Sequence, residues 1–217
     1  MLKPSKIIAI GLNYYDHARE LKMPVPDHPI MFMKPSSAVI KNGRPIIYPR
    51  QSKNVHYEGE LAIVIGRKAR NVSKSGAGKY INGFTCANDV TARDLQNIDG
   101  QWTRAKSFDT FCPLGPKVVK DIDPMNLKIQ TRVNGKIKQD SNTKNMIFDV
   151  YELVSFVSSV MTLLPGDVII TGTPPGVGPL SVGDTVEVEI EGIGILKNKV
   201  VKPALPAGRQ GEIKWKI

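Results

Sequence analysis

Cysteine is scarce in this sequence of 217 residues, where Cys86 and Cys112 are the only two. Two thiols favour a protein that keeps its cysteines reduced, so a cytoplasmic location is expected and a disulfide framework is excluded. Long hydrophobic runs are also missing, because no stretch approaches the roughly 20 apolar residues of a membrane-spanning helix. The apolar run at residues 7–10 is too short for the hydrophobic region of a signal peptide. A membrane partner is therefore not expected.

Aromatic residues make up only 6% of the chain, which leaves few rings on which the bases of a single-stranded nucleic acid could stack. Acidic residues are the scarcer charge, with 20 Asp and Glu against 30 Lys and Arg, and the formal net charge is +10. The cations are spread along the chain without a basic tail or a nucleic-acid-binding motif. A positive field also steers small anions. We therefore expect a small anionic substrate, with a basic nucleic-acid-binding domain as the remote alternative.

Hydrophobic residues at 41% and charged residues at 23% are typical of a soluble globular protein with a sizeable core. The length suits one large domain or, as the alternative, two small ones. The 19 glycines and 16 prolines are dispersed, which indicates many turns and favours a β-rich fold. The glycine-rich segment at residues 172–178 lacks the Gly-Lys-Ser/Thr ending of a phosphate-binding loop. It could offer backbone N–H groups and the Thr173 hydroxyl to a substrate carboxylate, or it could be a turn only.

The acidic residues Glu58 and Glu60 lie at the start of an apolar strand. Side chains alternate between the two faces of a strand, so these two carboxylates point to the same side. Placed together where a strand enters the core, they repel each other and lose hydration unless a cation lies between them. The alternation of Glu187, Glu189 and Glu191 is the counterexample in the same chain, because it predicts an ordinary strand with a solvated acidic face.

The segment at residues 12–22 is short, polar and compatible with a helix. Within it His17 and Glu20 are three residues apart and share a helix face, which makes them a candidate pair for activating water. The alternative is a surface helix that carries a histidine without a role. The proline-rich segment at residues 24–29 follows as a turn or hinge, and it could let the helix act as a lid.

Asp89 lies where a predicted strand meets a short helix at residues 91–98. Thr91 and Asp94 have the spacing of a helix N-cap and its partner, so the helix is expected to begin there. A side chain at such a corner projects into a site or forms a local turn. Lys106 has an apolar and aromatic setting, where partial burial would lower its pKa and make it an electrostatic stabiliser. Alternatively, its stem lies along apolar surface with the ammonium group in water.

The remaining segments predict a β-rich chain with one long helix. Strands are expected around Glu187 and at residues 4–11, 29–35, 45–49, 80–89, 127–133, 136–139, 168–171 and 193–201. Asn134 and Gly135 join two of these strands as a hairpin turn. The long helix is expected at residues 149–164, with a capping box of Asp149 and Glu152 and an apolar stripe that faces the core along its whole length.

Taken together, these segments resemble the fumarylacetoacetate hydrolase superfamily, in its short single-domain branch. The matching stretches are GLNYYDHARE at residues 11–20, FMKP at 32–35, HYEGELA at 56–62, NDVTARDLQ at 88–96, AKSFD at 105–109, DSNTKNMIF at 140–148 and ITGTPPGVG at 170–178. They follow the order of the family pattern from about residue 7 to residue 201. No single motif is decisive, but the series as a whole is specific.

The resemblance implies an α+β fold dominated by mixed, rolled β-sheets and assembled as a homodimer. It implies a single catalytic domain at residues 1–202, beginning at the first strand of the common domain, and a tail of unknown role at residues 203–217. It further implies that Glu58, Glu60 and Asp89 hold a divalent cation. An all-oxygen set of this kind suits Mg²⁺ or Mn²⁺ better than zinc.

The resemblance also assigns roles to the residues around the metal. Those that would face the substrate are Lys106, Arg93, Gln96 and Thr173. His17 and Glu20 would form a catalytic dyad on a segment that closes over the ligand. Ser141 is a departure from the family pattern, because relatives often carry a glycine at this position before the asparagine.

The activity implied by the resemblance is cleavage of a C–C bond in a short 2-oxo acid, with acylpyruvate hydrolysis as the first expectation. The metal and Lys106 would stabilise the pyruvate enolate that the cleavage leaves. The alternatives are oxaloacetate decarboxylation and the isomerisation or decarboxylation of unsaturated 2-oxo diacids, since the same enolate serves all three reactions. A catalytically silent binding protein is a further alternative, although the complete set of carboxylates with Lys106 argues against it.

Overall fold

The computed structural model describes residues 2–204, so most of the predicted tail at residues 203–217 lies outside the described residues. This part of the chain confirms the α+β class, with many strands and few helices. The strands are β1 Ile7–Gly11, β2 Ile30–Lys34, β3 Val39–Lys41, β4 Ile46–Ile47, β5 Val55–Tyr57, β6 Gly59–Ile65, β7 Ile81–Asn88, β8 Thr91–Ala92, β9 Cys112–Val119, β10 Lys128–Val133, β11 Lys136–Asn142, β12 Val168–Ile170, β13 Gly178–Leu180, β14 Thr185–Ile190 and β15 Gly194–Val201. The helices are α1 Tyr15–Leu21, α2 Arg93–Asp99, α3 Thr103–Lys106 and α4 Val150–Val160, with 3-10 turns at Ser36–Ala38, Lys74–Tyr80 and Thr143–Asn145.

The largest sheet has seven strands in the order β2-β1-β12-β6-β7-β9-β3. Its two edge strands, β2 and β3, follow each other in the chain and are joined only by residues 35–38. From Lys34 to Val39 an extended chain reaches at most ~18 Å. The edges of a flat seven-stranded sheet would lie about 29 Å apart at the usual strand spacing. The sheet must therefore curl until its edges approach each other, which agrees with the expected rolled sheet.

The two faces of the central strand β6 enter different parts of the core. Leu61, Ile63 and Ile65 pack with α4 and with the inner face of a second sheet. Ala62 and Val64 belong to a separate cluster on the other face of the seven-stranded sheet, where small side chains from neighbouring strands also lie. The predicted alternation along this strand is confirmed.

The second sheet has five strands in the order β11-β10-β14-β15-β4, and a three-stranded sheet has the order β13-β5-β8. The predicted hairpin joins β10 to β11, where Asn134 and Gly135 both have positive φ angles, of 51° and 76°. Along β14 the valines and isoleucine are buried while Glu187 and Glu189 are only half-buried. The counterexample strand thus has one face in the core and one face toward solvent, as its pattern predicts.

No helix within residues 2–204 combines the length and apolarity that crossing a bilayer would need.

The long helix α4 is shorter than its apolar stripe predicts. Asp149 caps it, with its side chain accepting hydrogen bonds from the N–H groups of Tyr151 and Glu152. The helix ends at Val160, although the prediction extended it to Leu164. Val160 and Leu164 are 52% and 41% exposed, so only the first part of the stripe faces the core. The predicted end of this helix was wrong because the apolar spacing continues by chance beyond the last turn that packs against the core.

Two other local expectations differ from the structure. Helix α2 begins at Arg93, because Thr91 belongs to strand β8 and its hydroxyl donates to the backbone oxygen of Asp89. Asp94 does not cap that helix through Thr91 but accepts hydrogen bonds from residues 52 and 53. Strand β9 was not predicted, because the prolines within it disfavour a strand from sequence alone.

Candidate active site

The three predicted metal ligands meet at one end of strands β6 and β7. Glu58 directly precedes β6, Glu60 is its second residue, and Asp89 directly follows β7. The antiparallel pairing of Gly59 with Asn88 places these positions side by side. The N–H of Asp89 donates to the backbone oxygen of Glu58 at 2.8 Å, which fixes the corner relative to the strand. One side-chain oxygen from each carboxylate lies within 4.8 Å of the others, and all three residues are buried.

Gly59, between the two glutamates, is required by close packing against the second sheet. A Cβ atom at this position would lie 2.1 Å from the hydroxyl oxygen of Thr131. Gln139 accepts from the Gly59 N–H at 3.0 Å, and its amide nitrogen donates to the Thr173 hydroxyl at 2.8 Å. That hydroxyl in turn donates to the backbone oxygen of Gly59 at 3.0 Å. The backbone that carries Glu58 and Glu60 is therefore held on both sides.

Three cations surround the carboxylates of Glu58 and Asp89. The Nζ of Lys106 lies 2.9 Å from Oε2 of Glu58 and 2.7 Å from Oδ2 of Asp89. The Nζ of Lys34 lies 2.5 Å from Oδ1 of Asp89. Arg93 donates to Oε1 of Glu58. Every oxygen of these two carboxylates therefore contacts a cationic nitrogen.

The charges of these neighbours outweigh the effect of burial on Lys106 and Glu58. Burial lowers the pKa of Lys106, but the carboxylates of Asp89 and Glu58 raise it, and the net pKa lies above the usual value of 10.5. Burial raises the pKa of Glu58, but Lys106 and Arg93 bring it down to about 2. The expected lowering of the Lys106 pKa is wrong because burial brings its ammonium group against two carboxylates. The alternative of an ammonium group in water is also wrong, since Lys106 is only 2% exposed.

Glu60 differs from the other two carboxylates because no cationic side chain among residues 2–204 forms an ion pair with it. Its Oε2 accepts one hydrogen bond, from the N–H of Gly172 at 2.7 Å. Burial, followed by the negative charges of Asp89 and Glu58, raises the pKa of Glu60 well above its usual value. A buried carboxylate in this position gains most from a further cation.

The donor set fits a hard divalent cation. Glu58, Glu60 and Asp89 offer only carboxylate oxygens, which Mg²⁺ and Mn²⁺ prefer over the nitrogen and sulfur ligands typical of zinc. A carboxylate has about four lone-pair positions, so Glu58 and Asp89 can keep Lys106 while each gives an oxygen to an ion. The uncompensated charge of Glu60 supplies the remaining attraction. These three residues can therefore hold a divalent cation.

The two residues of the predicted dyad lie on helix α1. Nδ1 of His17 is 2.8 Å from Oε2 of Glu20, and the histidine is only 7% exposed. Because a carboxylate accepts, this hydrogen bond assigns the proton to Nδ1 and leaves a lone pair on Nε2. The second oxygen of Glu20 accepts from the N–H of Gly176 at 3.0 Å. The loop at residues 171–177 thus contacts the dyad at one end and Glu60 at the other.

The predicted substrate-facing residues lie in different settings. Arg93 is partly exposed and donates to Gln96 at 2.5 Å, so these two form one polar pair on helix α2. Thr173 is buried, and its hydroxyl is already bonded to Gly59 and Gln139. Their contact with a substrate stays a prediction.

Two residues of the site were missed from the sequence. Lys34 is fully buried at the end of β2 and pairs with Asp89. A lysine that ends an otherwise apolar strand, within the FMKP stretch, was the available signal. Gln139 links the backbone of the ligand-bearing strand to the 171–177 loop. Nothing near Gln139 in the sequence indicates this, because its partners are 34 or more residues away.

Comparison with known proteins agrees with this geometry. Residues 6–201 match the family model described as fumarylacetoacetate (FAA) hydrolase C-terminal. The chain is 70% identical over 199 residues to an uncharacterized protein of Methanocaldococcus jannaschii, covering 92% of this chain and 84% of that protein. It is 49% identical over 210 residues to the mitochondrial oxaloacetate tautomerase of Rattus norvegicus, covering 92% and 67%.

Solved structures give the same result. The 5-carboxymethyl-2-hydroxymuconate delta-isomerase of Mycobacterium smegmatis superposes with a TM-score of 0.89 at 51% identity, covering 94% of this chain and 81% of that chain. The 2-hydroxyhepta-2,4-diene-1,7-dioate isomerase of Mycobacterium marinum superposes with a TM-score of 0.87 at 51% identity, covering 93% and 76%. The chain therefore belongs to the fumarylacetoacetate hydrolase family.

Proposed function

We propose that the chain is a divalent-metal-dependent enzyme that interconverts the keto and enol forms of a short 2-oxo dicarboxylic acid of the oxaloacetate type. The observation that carries this proposal is the buried Lys106 ammonium group, held between Glu58 and Asp89, with an acid–base pair of His17 and Glu20 joined to the carboxylate cluster through the loop at residues 171–177. Enolisation needs both features, because a proton leaves carbon while negative charge grows on oxygen.

The cation, Mg²⁺ or Mn²⁺, would be held by Glu58, Glu60 and Asp89. When bound, such an ion polarises the 2-oxo carbonyl and makes the neighbouring C–H bond more acidic. The protein's own part is to hold the three carboxylates at the spacing that such an ion needs. Lys106 does this for two of them, and the N–H of Gly172 orients the third.

The proton transfer falls to helix α1 and Lys106. His17 takes the proton from C3 of the keto acid through Nε2, and Glu20 stabilises the resulting imidazolium through Nδ1. Lys106 stabilises the negative charge that develops on the substrate oxygen. Return of the proton to that oxygen gives the enol, and its return to C3 regenerates the keto acid.

Charge balance favours a substrate with two carboxylates. Three carboxylates in the cluster are matched by three cations, which are Lys34, Arg93 and Lys106. A divalent ion would leave the cluster with two surplus positive charges, and a 2-oxo dicarboxylate would neutralise them. Arg93 with Gln96 is the proposed contact for the distal carboxylate, since this pair is polar and partly exposed. The loop around Thr173 is the proposed contact for the other carboxylate, mainly through backbone N–H groups.

The named relatives support the same chemistry. At 49% identity the rat protein is named oxaloacetate tautomerase, and at 51% identity the two mycobacterial structures are named isomerases of 5-carboxymethyl-2-hydroxymuconate and of 2-hydroxyhepta-2,4-diene-1,7-dioate. Tautomerisation and double-bond isomerisation of such acids, each with two or more carboxyl groups, move a proton without breaking a C–C bond. Tautomerisation is therefore the first candidate activity, and C–C bond hydrolysis is the second.

The second candidate is hydrolysis of an acylpyruvate, with oxaloacetate decarboxylation as its variant without water. The observation that favours it is the His17–Glu20 hydrogen bond, because such a pair can also take a proton from water for attack on the distal carbonyl. The pyruvate enolate that leaves would be stabilised by Lys106 as in the first candidate.

The deciding experiment compares three reactions of the purified protein, each with Mg²⁺ and with EDTA. Decay of the ultraviolet absorbance of enol-oxaloacetate measures tautomerisation, and lactate dehydrogenase measures pyruvate released from acetylpyruvate and from oxaloacetate. Rates without protein are subtracted. Metal-dependent enol decay that is much faster than pyruvate release supports the tautomerase. Faster release from acetylpyruvate would replace it with the hydrolase, and release only from oxaloacetate would replace it with the decarboxylase.

We also propose that the chain assembles as a homodimer, as the family resemblance implies. Light scattering on the eluate of a sizing column would give twice the mass of the chain. A single-chain mass across the working concentrations would overturn this part of the proposal.

A further inference from the structure

Helix α1, which carries the dyad, is too short to hold itself in place. It has seven residues, and isolated helices of this length are unstable in water. Only His17 and Ala18 within it are buried, and Leu21 is 46% exposed. Apolar burial within the helix therefore contributes little to its position, and its apolar anchor is Tyr14, which directly precedes it and is fully buried. Side-chain contacts made by the helix itself add to this anchor in setting where the dyad lies.

At the end of the helix nearest the site, Glu20 accepts from the N–H of Gly176. At the other end, Asp16 makes a contact that reaches across the fold. Its Oδ2 accepts from the hydroxyl of Ser141 at 2.6 Å and from the side-chain amide of Asn145 at 3.2 Å. Asn145 also donates to the Ser141 hydroxyl at 3.2 Å, so the three side chains form a closed triangle.

Asp16 is also joined to the dyad itself. Its other oxygen, Oδ1, accepts from the backbone N–H of His17 at 3.0 Å. One carboxylate therefore links the histidine's backbone to the end of strand β11 and the turn after it, 125 residues further along the chain. An aspartate in a first helical turn needs only local N–H partners to stabilise the helix, so the contact with Ser141 serves some other purpose.

We infer that Asp16, Ser141 and Asn145 form a latch that positions the His17–Glu20 dyad over the site. The inference rests on the proposed function only for the consequence in catalysis, and the latch itself is a structural statement that can be tested without any substrate. Bonds to a charged acceptor are the stronger kind, so loss of the Ser141 hydroxyl should release helix α1 without unfolding the sheets.

The test uses Ser141→Ala and Ser141→Thr, with Asp140→Asn as the matched control on the same strand. Asp140 is exposed, and its nearest cation, Lys128, is 3.9 Å away. Hydrogen exchange of the Tyr15–Leu21 amides is measured with Mg²⁺ present. Ser141→Ala should speed their exchange by about tenfold, while the amides of β6 and β7 keep their native rates. Ser141→Thr, which keeps a hydroxyl, and Asp140→Asn should match the native protein.

Turnover of enol-oxaloacetate by the same proteins tests the positioning role. Ser141→Ala should lower kcat by about tenfold with KM changed less than twofold, and Ser141→Thr should restore it. Unchanged exchange of helix α1 in Ser141→Ala would overturn the latch. Faster exchange with an unchanged kcat would overturn its role in positioning. Absence of turnover in the native protein would count against the proposed function alone, because the exchange result stands without it.

Discussion

Glu60 is the carboxylate whose environment most needs a metal. Its pKa is raised by burial and by its two acidic neighbours, so the ionised form destabilises the folded protein at neutral pH when no cation is bound. Replacing it with the neutral amide removes that cost and a metal ligand together. The two effects have opposite signs, and both can be measured.

We expect Glu60→Gln to lower metal-dependent turnover at least about 100-fold and to raise the melting temperature in EDTA. Mg²⁺ should stabilise the native protein and leave the variant unchanged, because a ligand that binds only the folded state raises stability. Thermal melts with and without Mg²⁺ are the measurement. Glu189→Gln on the half-buried acidic strand is the control. Full activity of Glu60→Gln would refute the metal assignment.

Asp167 is a buried carboxylate with a structural task. It accepts hydrogen bonds from the Ser5 hydroxyl at 2.6 Å and from the N–H of Leu164 at 2.8 Å, and it pairs with Lys6. Burial raises its pKa, but these partners outweigh burial and hold the pKa below its usual value of 3.8. The folded protein therefore binds the proton of Asp167 less tightly than the unfolded chain does.

A carboxyl group with a lowered pKa contributes stability above its unfolded pKa, and the contribution is lost as the pH falls through the folded pKa. We expect Asp167→Asn to lower the free energy of unfolding by roughly 2 kcal/mol at pH 7. The difference from the native protein should shrink below about pH 4. Urea unfolding at pH 7, 5 and 3 measures it, with exposed Asp140→Asn as the control. A difference that does not depend on pH would contradict this account.

Among the elements, the loop at residues 171–177 depends most on a single glycine. Gly176 has a φ angle of 91°, and a Cβ atom there would lie 2.1 Å from the backbone oxygen of Lys138. Gly183 has a similar φ of 101° with nothing within 4 Å of such an atom. The two positions share the backbone strain and differ only in the clash.

Gly183→Ala should therefore cost about 1–2 kcal/mol of stability, the usual penalty of a left-handed residue. Gly176→Ala should cost more, because the loop must also move away from Lys138. That movement breaks the bond from the Gly176 N–H to Glu20, so turnover should fall as well. Denaturant unfolding and turnover of both variants are compared. Equal losses in the two variants would mean that the clash is relieved elsewhere.

Much of the element order was predictable, and the exceptions have physical causes. Alternating or apolar runs bounded by Gly and Pro identified β1, β6 and β7 because one or both faces of these strands are buried. Strand β9 was hidden by its prolines, and the last turn predicted for α4 was a continuation of apolar spacing without a partner. Local sequence patterns indicate which faces of a helix or strand are apolar. Packing against other elements determines where that helix or strand ends.

The residues of the candidate site also divide into those that a local pattern predicted and those that it could not. Glu58 and Glu60 were singled out by strand periodicity, the dyad by helix spacing and Thr173 by its glycine-rich loop, while the roles of Arg93 and Gln96 came from the family resemblance. Lys34 and Gln139 were missed because their partners are distant in sequence. Side chains that meet only through the curl of a sheet leave no local pattern.

At the scale of the whole molecule, the net charge of +10 should act on the approach of an anionic substrate. We expect kcat/KM for a dianionic 2-oxo acid to fall several-fold between roughly 0.01 and 0.5 M NaCl, where the screening length shortens. The 4-methyl ester of oxaloacetate, with a single negative charge, should show a weaker dependence. Equal salt dependence for both would mean that the field of the protein has no part in capture.

The strand order of the largest sheet also constrains the order of events during synthesis. Strand β12 lies between β1 and β6, yet it is made after every other strand of that sheet. Until residue 170 has left the ribosome, the antiparallel β1–β2 pair and the β6–β7–β9 group have no strand between them to which both can hydrogen-bond. The pair of Lys34 with Asp89 joins these two halves. A nascent chain therefore carries all three metal-binding carboxylates, with Arg93 and Lys106 soon after them, long before the Lys34–Asp89 pair is fixed. We expect that last ion pair to form late, when one short strand is inserted between two older pieces.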